Sequence, residues 1–443
     1  MPSPRKCGHR VITGREVALR VLQKALKGDT FISGLLESEF SAHRLSLEER
    51  RLATELAYGC VRRRGTLDWV IERRAGRKMA EISQALRDIL RMGVYQIVYL
   101  DRVPAYAAVN ETVELARAHG PSGSVKFVNA LLRNTPRDLK DILTPQACGS
   151  WESYLSVAHS HPLWLVKRWV QRWGSEAAEK LCCANNAAPP MTVRTNVLKC
   201  SRDELIKQLR AEGVRAVAHE GHRLAVTIAK LPRPLRDLDS FRGGLFQVQD
   251  ISAMRVVDIL GPRRGETVVD VCAAPGGKAT AIAETIGDEG EVLCTDVSAK
   301  KVKKIEQNAR RLGLKSIYAV VGDGRNARRF FGSAVVDRVL VDAPCSNTGV
   351  LGRRPEARWR VHEADLQRLA GQQLDLVSAG AALVGDQGIV VYSTCSIEPE
   401  ENEGVVTDFL SSFKDFGIDK QLHFFPGGDG GDGGYVARLL RGG

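Results

Sequence analysis

The stretch Asp270-Val271-Cys272-Ala273-Ala274-Pro275-Gly276-Gly277-Lys278 decides the reading of this chain. It follows the apolar run Thr267–Val271, a strand in appearance, and it ends in two glycines and a lysine where a helix should begin. Glycines at a strand-to-helix turn let a ligand approach the backbone closely. Two nucleotide-binding spellings are excluded. A P-loop needs GxxxxGK[ST], but Cys272 stands in place of the first glycine and Ala279 in place of the magnesium-binding hydroxyl. The dinucleotide spelling GxGxxG is absent from this turn.

Around the turn, strands and helices alternate. Strands are expected at 267–271, 291–295, 317–321, 338–341 and 388–392, with helices in the intervals, notably Lys300–Leu312 and Glu363–Leu383. That alternation predicts a mostly parallel, doubly wound α/β sheet with ligands at the carboxyl ends of its strands. Asp270, Asp296, Asp323 and Asp342 each end a strand. Four such carboxylates would repel a phosphate and suit a cationic or uncharged nucleoside such as S-adenosylmethionine. Asp296 is placed to accept from ribose hydroxyls, and Asp323 to meet an adenine amino group. Singly, each could merely cap the next helix.

Two cysteines follow strand ends in proline-bearing loops: Cys345 in Asp342-Ala343-Pro344-Cys345-Ser346, and Cys395 in Ser393-Thr394-Cys395-Ser396-Ile397-Glu398-Pro399. Beside a nucleoside site they point to covalent chemistry on a base, not to a redox pair. Of the ten cysteines none forms a CxxC pair or a zinc-spaced cluster, so no metal is expected. Cys182-Cys183 reads as part of an apolar helix face.

Residues 1–140 read as helical, a bundle of about six helices. Thr13-x-x-Glu16 and Ser46-x-x-Glu49 spell capping boxes. Ala18, Leu22, Ala25 and Leu26 form one apolar stripe, and Ile82, Leu86, Ile89 and Leu90 another. Pro104 suits a helix start and Gly120 a stop. This third carries 25 Lys and Arg against 15 Asp and Glu, most of the net charge of +12. Such an excess suggests a polyanion partner. Arg62-Arg63-Arg64 and Arg73, Arg74, Arg77 and Lys78 lie near helix ends, within reach of phosphates.

Residues 141–240 read as a small α+β module, with a strand at 191–196 and a capping box Ser201-x-x-Glu204. Trp164, Trp169 and Trp173 have spacings that favour core packing over base stacking. The glycine-rich run Gly427–Gly434 reads as a loop before a final strand at 435–439. The domain boundaries are thus 1–140, 141–240 and 241–443. No apolar run reaches the roughly 20 residues of a membrane helix, and Met1–Cys7 lacks the apolar core of a secretion signal. A cytoplasmic chain, off the membrane, is expected.

VCAAPGGKAT, DAPCSNTGV and STCSIEPEENE resemble the Sun family of RNA 5-methylcytosine methyltransferases. Val109-Asn110-Glu111 and Lys126-Phe127-Val128-Asn129-Ala130-Leu131-Leu132-Arg133 resemble the antitermination factor NusB. HPLWLVKRW, VRTN and FQVQD fit the stretches between. The resemblance runs over nearly the whole chain. It implies an all-α NusB-like domain, a small α+β linker module and a Rossmann-like class I methyltransferase domain, acting on 16S (small-subunit) rRNA; a monomer is expected.

It also implies a cofactor loop of Cys272, Ala273, Ala274, Pro275, Gly276, Gly277 and Lys278. Asp296, Asp323 and Asp342 complete the S-adenosylmethionine site. Cys395 matches the nucleophile and Cys345 the second cysteine, our candidate for releasing the product. Asp342 is expected to be protonated and to donate to the base. Asn347 stands where a small residue is usual. Gly352 and Arg354 replace an Arg and a His of the family's pattern, while Arg353 and Pro355 keep it. Two other readings stand beside this one: the same chemistry on tRNA or another rRNA site, and a non-catalytic RNA-binding protein.

Overall fold

The computed structural model describes residues 12–28, 30–332, 335–428 and 431–442. The Met1–Cys7 segment and two positions of the glycine-rich run lie outside the described residues. Two compact units emerge. One holds the residues up to Asn186 together with Arg354–Arg360; the other holds Ala187–Arg353 and the chain from Val361 onward.

In the first unit, seven α-helices precede residue 134 among the described residues, one more than the sequence suggests. One boundary falls inside the arginine run, where Leu47–Arg62 ends and Arg64–Ala75 begins with no proline to mark the break. The Thr13–Glu16 box closes in both directions. At Ser46 only half of the box forms, because the Glu49 carboxylate turns to the Gly14 N–H instead. Ile82 packs in the core but precedes its helix, Gln84–Tyr99. The core gathers Val17, Leu56, Val70, Ile89 and Leu131 from five helices.

The arginine clusters divide. Arg73, Arg74, Arg77 and Lys78 are exposed, whereas Arg62 is half-buried and burial lowers its pKa. Trp169 is buried, edge-on to His161, while Trp164 and Trp173 are half-buried. Cys182 is on the apolar face of its helix, but Cys183 is exposed. The segment Arg354–Arg360 is embedded in this unit. The Arg358 guanidinium donates to the carbonyls of Ser160 (3.0 Å) and Asn185 (3.0 Å) and to Asn186 Oδ1 (2.9 Å). Burial pushes its pKa down to about 9.

The second unit holds two sheets. Strands β1 (Met191–Thr195), β2 (Arg215–Ala218), β3 (Ala225–Lys230) and β4 (Phe246–Val248) form an antiparallel sheet in the order β2-β3-β1-β4. The helix Arg202–Ala211, opened by the complete Ser201–Glu204 box, covers it with Leu205 and Leu209.

The larger sheet comprises β5 (Thr267–Asp270), β6 (Glu291–Asp296), β7 (Ile317–Val321), β8 (Val336–Asp342), β9 (Val384–Thr394), β10 (Phe416–Phe424) and β11 (Gly434–Arg441). Its order is β10-β11-β9-β8-β5-β6-β7. Strands β5 to β9 run parallel; β11 is antiparallel to β9, and β10 to β11. The parallel centre is buried on both faces, which accounts for continuous runs such as Val339-Leu340-Val341. The chain reverses direction across the sheet between β5 and β8. Such a switch point leaves a crevice at the strand ends, and Asp270 and Asp342 end those two strands. Among the described residues no helix is long and apolar enough to cross a membrane.

Candidate active site

The turn after β5 is built by its own backbone. Ala273 N–H donates to Thr295 O at 2.9 Å, and Gly276 N–H to Ala273 O at 2.7 Å. Gly276 has φ +96°, and a Cβ there would lie 3.2 Å from the Ile305 Cα, so both conformation and space demand glycine. The helix Gly277–Thr285 starts at once and carries Lys278 in its first turn.

Three aspartates repeat one local motif, Asp270 and Asp296 at strand ends and Asp323 two residues past the end of β7. Asp270, Asp296 and Asp323 each accept, through Oδ1, the N–H two residues on, at 3.3, 3.0 and 3.0 Å. This Asx turn commits one oxygen and leaves the other for a partner. Asp270 Oδ2 is buried with no hydrogen-bond partner. Burial, then the charge of Asp342, pushes the Asp270 carboxyl up to about 7. Asp323 Oδ2 is taken by Arg325 at 2.6 Å, and that hydrogen bond lowers its pKa.

Asp342 ends β8 directly opposite Ser393 of β9. Its Oδ1 accepts from Ser393 Oγ at 2.9 Å and its Oδ2 from Lys278 Nζ at 2.7 Å. Burial alone would lower the Lys278 pKa, but Asp342, and beyond it Cys395, raise it.

The same register brings the cysteines together, with Cys345 Sγ 3.1 Å from Cys395 Sγ. The hydrogen bond to Cys395, then burial, pushes the Cys345 thiol well up. Cys345 thus holds its proton, and either sulfur can be the donor in this contact. Asn347, in the left-handed region at φ +62°, places Oδ1 3.3 Å from Cys395 Sγ and donates from Nδ2 to Cys345 O at 2.8 Å.

Beneath the thiols lies a buried carboxylate that sequence reading passed over. Glu401 Oε1 accepts from Ser346 N–H (2.8 Å) and Gln373 Nε2 (3.0 Å), and Oε2 accepts from the hydroxyls of Ser346 and Ser396. Ser346 adjoins Cys345 and Ser396 adjoins Cys395, so one carboxylate ties both cysteine loops together. Gly349 N–H adds a bond to Cys395 O at 3.0 Å.

Residues 257–440 match the family described as 16S rRNA methyltransferase RsmB/F, and residues 13–137 match the NusB family. Residues 161–233 match the ferredoxin-like domain of RsmF/B-like methyltransferases. A probable ribosomal RNA small subunit methyltransferase B from Synechocystis sp. is 38% identical over 92% of this chain and 91% of its own length.

The chain belongs to the RsmB family.

A Bacillus subtilis relative, also named a probable ribosomal RNA small subunit methyltransferase B, is 36% identical over 92% of this chain and 90% of its own. Among solved structures, PH0851 matches with a TM-score of 0.81 at 26% identity, covering 96% of this chain and 98% of that one. A methyltransferase homologue from Pyrococcus horikoshii matches with a TM-score of 0.59 at 25% identity, covering 67% and 99%.

Two linking stretches gain a role in this RsmB-family chain. Arg194, in VRTN, is buried; it pairs with Glu284 at 2.8 Å and donates to Gly277 O at 2.9 Å. It also meets Gln249 of FQVQD, so the smaller sheet supports the turn after β5 from behind. Arg353 bridges Asp250 (2.7 Å) and Asp432 (2.6 Å), fixing the loop after Cys345. Only a residue-type signal, an arginine inside a strand, hinted at the first.

Proposed function

We propose that this chain methylates carbon 5 of a cytosine in 16S rRNA, using S-adenosylmethionine and a covalent bond to Cys395. The observation that carries the reading is the pair of thiols 3.1 Å apart, one of them holding its proton, beside the Lys278–Asp342 ion pair.

The cofactor fits the residues present. An orphaned buried carboxylate oxygen on Asp270, with Asp342 beside it, suits a ligand bearing positive charge. Cys272 through Lys278 would hold the methionine end, Asp296 the ribose, and Asp323 the adenine. When bound, S-adenosylmethionine supplies an electrophilic methyl group.

Cytosine carbon 5 is too weak a nucleophile to accept that methyl unaided. Addition of the Cys395 thiolate to carbon 6 makes carbon 5 enamine-like, splitting one hard step into two. Cys345 S–H and Lys278 both favour the thiolate on Cys395 before attack. Asp342, an acceptor, suits the base's exocyclic amino group, and Lys278 carries the proton nearest to it. Once Cys395 is bonded to carbon 6 it no longer accepts from Cys345. The main cause of the raised Cys345 pKa is then gone; Cys345 gives its own proton to solvent, and the thiolate so formed takes the carbon-5 proton. Electrons of that C–H bond restore the ring double bond and expel Cys395 as thiolate.

The target base must leave its stack to reach these groups. The exposed Arg73, Arg74, Arg77 and Lys78 supply sequence-independent affinity for phosphates.

Site-resolved bisulfite mapping of 16S rRNA incubated with purified protein and cofactor tests the reading. Cys395→Ala should abolish the new 5-methylcytosine while cofactor binding persists. Cys345→Ala should accumulate a protein–RNA adduct that survives denaturing electrophoresis. Methyl transfer by Cys395→Ala would refute the nucleophile, and methylation of tRNA alone would reassign the substrate.

A further inference from the structure

The helix Ala299–Leu312 carries a surface that the proposed chemistry does not use. Val302, Ile305, Ala309 and Leu312 are buried against the sheet. On the opposite side Lys300, Lys303, Lys304 and Arg310 are all exposed. At 100° per residue these four fall within one stripe of roughly 120°, together with Gln307 and Arg311, and no acidic residue lies in it. With a rise of 1.5 Å per residue the stripe is about 17 Å long.

Its electrostatics are unfavourable as they stand. Lys300 and Lys301 occupy the first turn, where the helix dipole favours acidic side chains, and none is present there. Lys300 faces Lys303 and Lys304 at the spacings where like charges repel along a helix. Among the described residues, Lys300, Lys303, Lys304 and Arg310 form no ion pair. The apolar face is already buried, so this helix cannot enter a membrane. A polyanion laid along such a surface would relieve this repulsion.

The stripe runs into a cavity of about 390 Å³ lined by Arg236, Phe241, Arg242, Gln307, Arg310 and Arg311. Arg311 forms its floor, with the guanidinium 4.0 Å from the Phe241 ring centre and bonded to Phe246 O at 2.9 Å. Arg236 and Arg242 form an exposed rim. At its other end the helix begins three residues after Asp296, and nearer the cavity its inner side backs the turn after β5. Asn308 donates to Pro275 O at 3.0 Å, and Ile305 packs on Gly276. A phosphate backbone laid along the stripe therefore ends beside the nucleoside site.

We propose that this helix face and the arginine-lined cavity bind the phosphate backbone of the substrate RNA, as a second anchoring surface inside the catalytic unit. The proposal rests on the RNA-methylation reading, but its test does not depend on catalysis. The full-length variant K300A/K303A/K304A/R310A is compared with the unaltered protein for binding to a 16S rRNA transcript across a salt series. Each phosphate contact contributes about 0.7 to 0.9 to the slope of log affinity against log salt. The slope should become shallower by about 3, with at least tenfold weaker binding at moderate salt and unchanged cofactor binding. A control variant neutralising Lys207, Lys230, Lys414 and Lys420, exposed cations elsewhere in the same unit, should keep its slope. An unchanged slope in the first variant, or an equal change in the control, overturns the proposal. Binding to phosphatidylglycerol vesicles that is lost in the first variant, with RNA binding intact, would assign the surface to a membrane instead. Failure of the methylation reading shows separately, as absence of methyl transfer by the unaltered protein.

Discussion

The two halves of the site, at the same edge of the same sheet, are held by opposite means. In the loops after β8 and β9, the polar groups beneath the thiols are satisfied by the protein itself. Four donors converge on Glu401, and Asn402 adds bonds from Thr394 Oγ1 (2.6 Å) and to Ser396 O (3.0 Å). After β5 and β6, Asp270 and Asp296 each commit one carboxylate oxygen locally and no more. Under the proposed chemistry the contrast follows from the work of each half: two sulfurs must be held at a set distance before any ligand arrives, whereas a bound nucleoside would itself complete the hydrogen bonds of the other half.

That contrast can be broken most directly at Glu401. Glu401→Ala leaves four buried donors without their acceptor, each an expensive loss in a low-dielectric interior. We expect methyl transfer to fall at least 100-fold and stability by about 3 kcal/mol, with cofactor affinity changed less than threefold. Glu401→Gln, which restores one acceptor oxygen, should recover part of both. Calorimetric cofactor titration beside a methyl-transfer assay reads the two halves separately. A variant that loses cofactor binding as well would show that they are not independent.

The ligand-completed half is probed by pH. The Asp270 carboxyl is raised to about 7 in the folded chain, against roughly 4 when unfolded. The folded form therefore binds this proton more tightly. This group's contribution to stability falls as pH rises from about 4 to about 7, and is level above that. Asp270→Asn removes the loss, so in the absence of cofactor its melting temperature should exceed that of the unaltered protein at pH 7.5 but not at pH 4.5. Equal differences at both values would mean that Asp270 is not raised.

The smallest effect is expected at Asn347, which touches Cys395 in the cysteine half. Its amide oxygen accepts from the Cys395 thiol and so favours the unreactive form. Asn347→Gly tolerates the left-handed backbone and should speed alkylation of Cys395 by iodoacetamide about twofold. Asn347→Ala should instead lose about 1 kcal/mol of stability to the strained φ. Slower alkylation in Asn347→Gly would show that the side chain activates the thiol.

Much of this was legible from the order of residues. The parallel strands announce themselves as apolar runs ending in Asp270, Asp296 and Asp342, since burial on both faces leaves no room for alternation. The edge strand β10 does not: Gly417, Asp419, Lys420 and Gln421 are exposed, and its register slips near Asp419, so no clean period survives. The cysteines were visible because their loops are spelled distinctively. Glu401 was hidden because an acid within Pro399-Glu400-Glu401-Asn402-Glu403 reads as a solvated helix start. Its burial depends on Ser346 and Gln373, which are 55 and 28 residues away. The lysine stripe was masked for a different reason. Charge summed over the last two-thirds of the chain is close to neutral, and a helical stripe appears only when residues are projected around an axis.

The short segment Arg354–Arg360 has a consequence for how the molecule comes into being. Its Arg358 supplies donors to Ser160, Asn185 and Asn186, and its Trp359 donates to Val61 O at 2.8 Å. A ribosome finishes the first 186 residues long before it adds this segment, so the helical unit leaves the exit tunnel missing part of its own interior. It is completed only when most of the catalytic unit has also been synthesised. Maturation of the helical unit is thereby timed by synthesis of its neighbour, and a prematurely terminated chain carries an unfinished version of it.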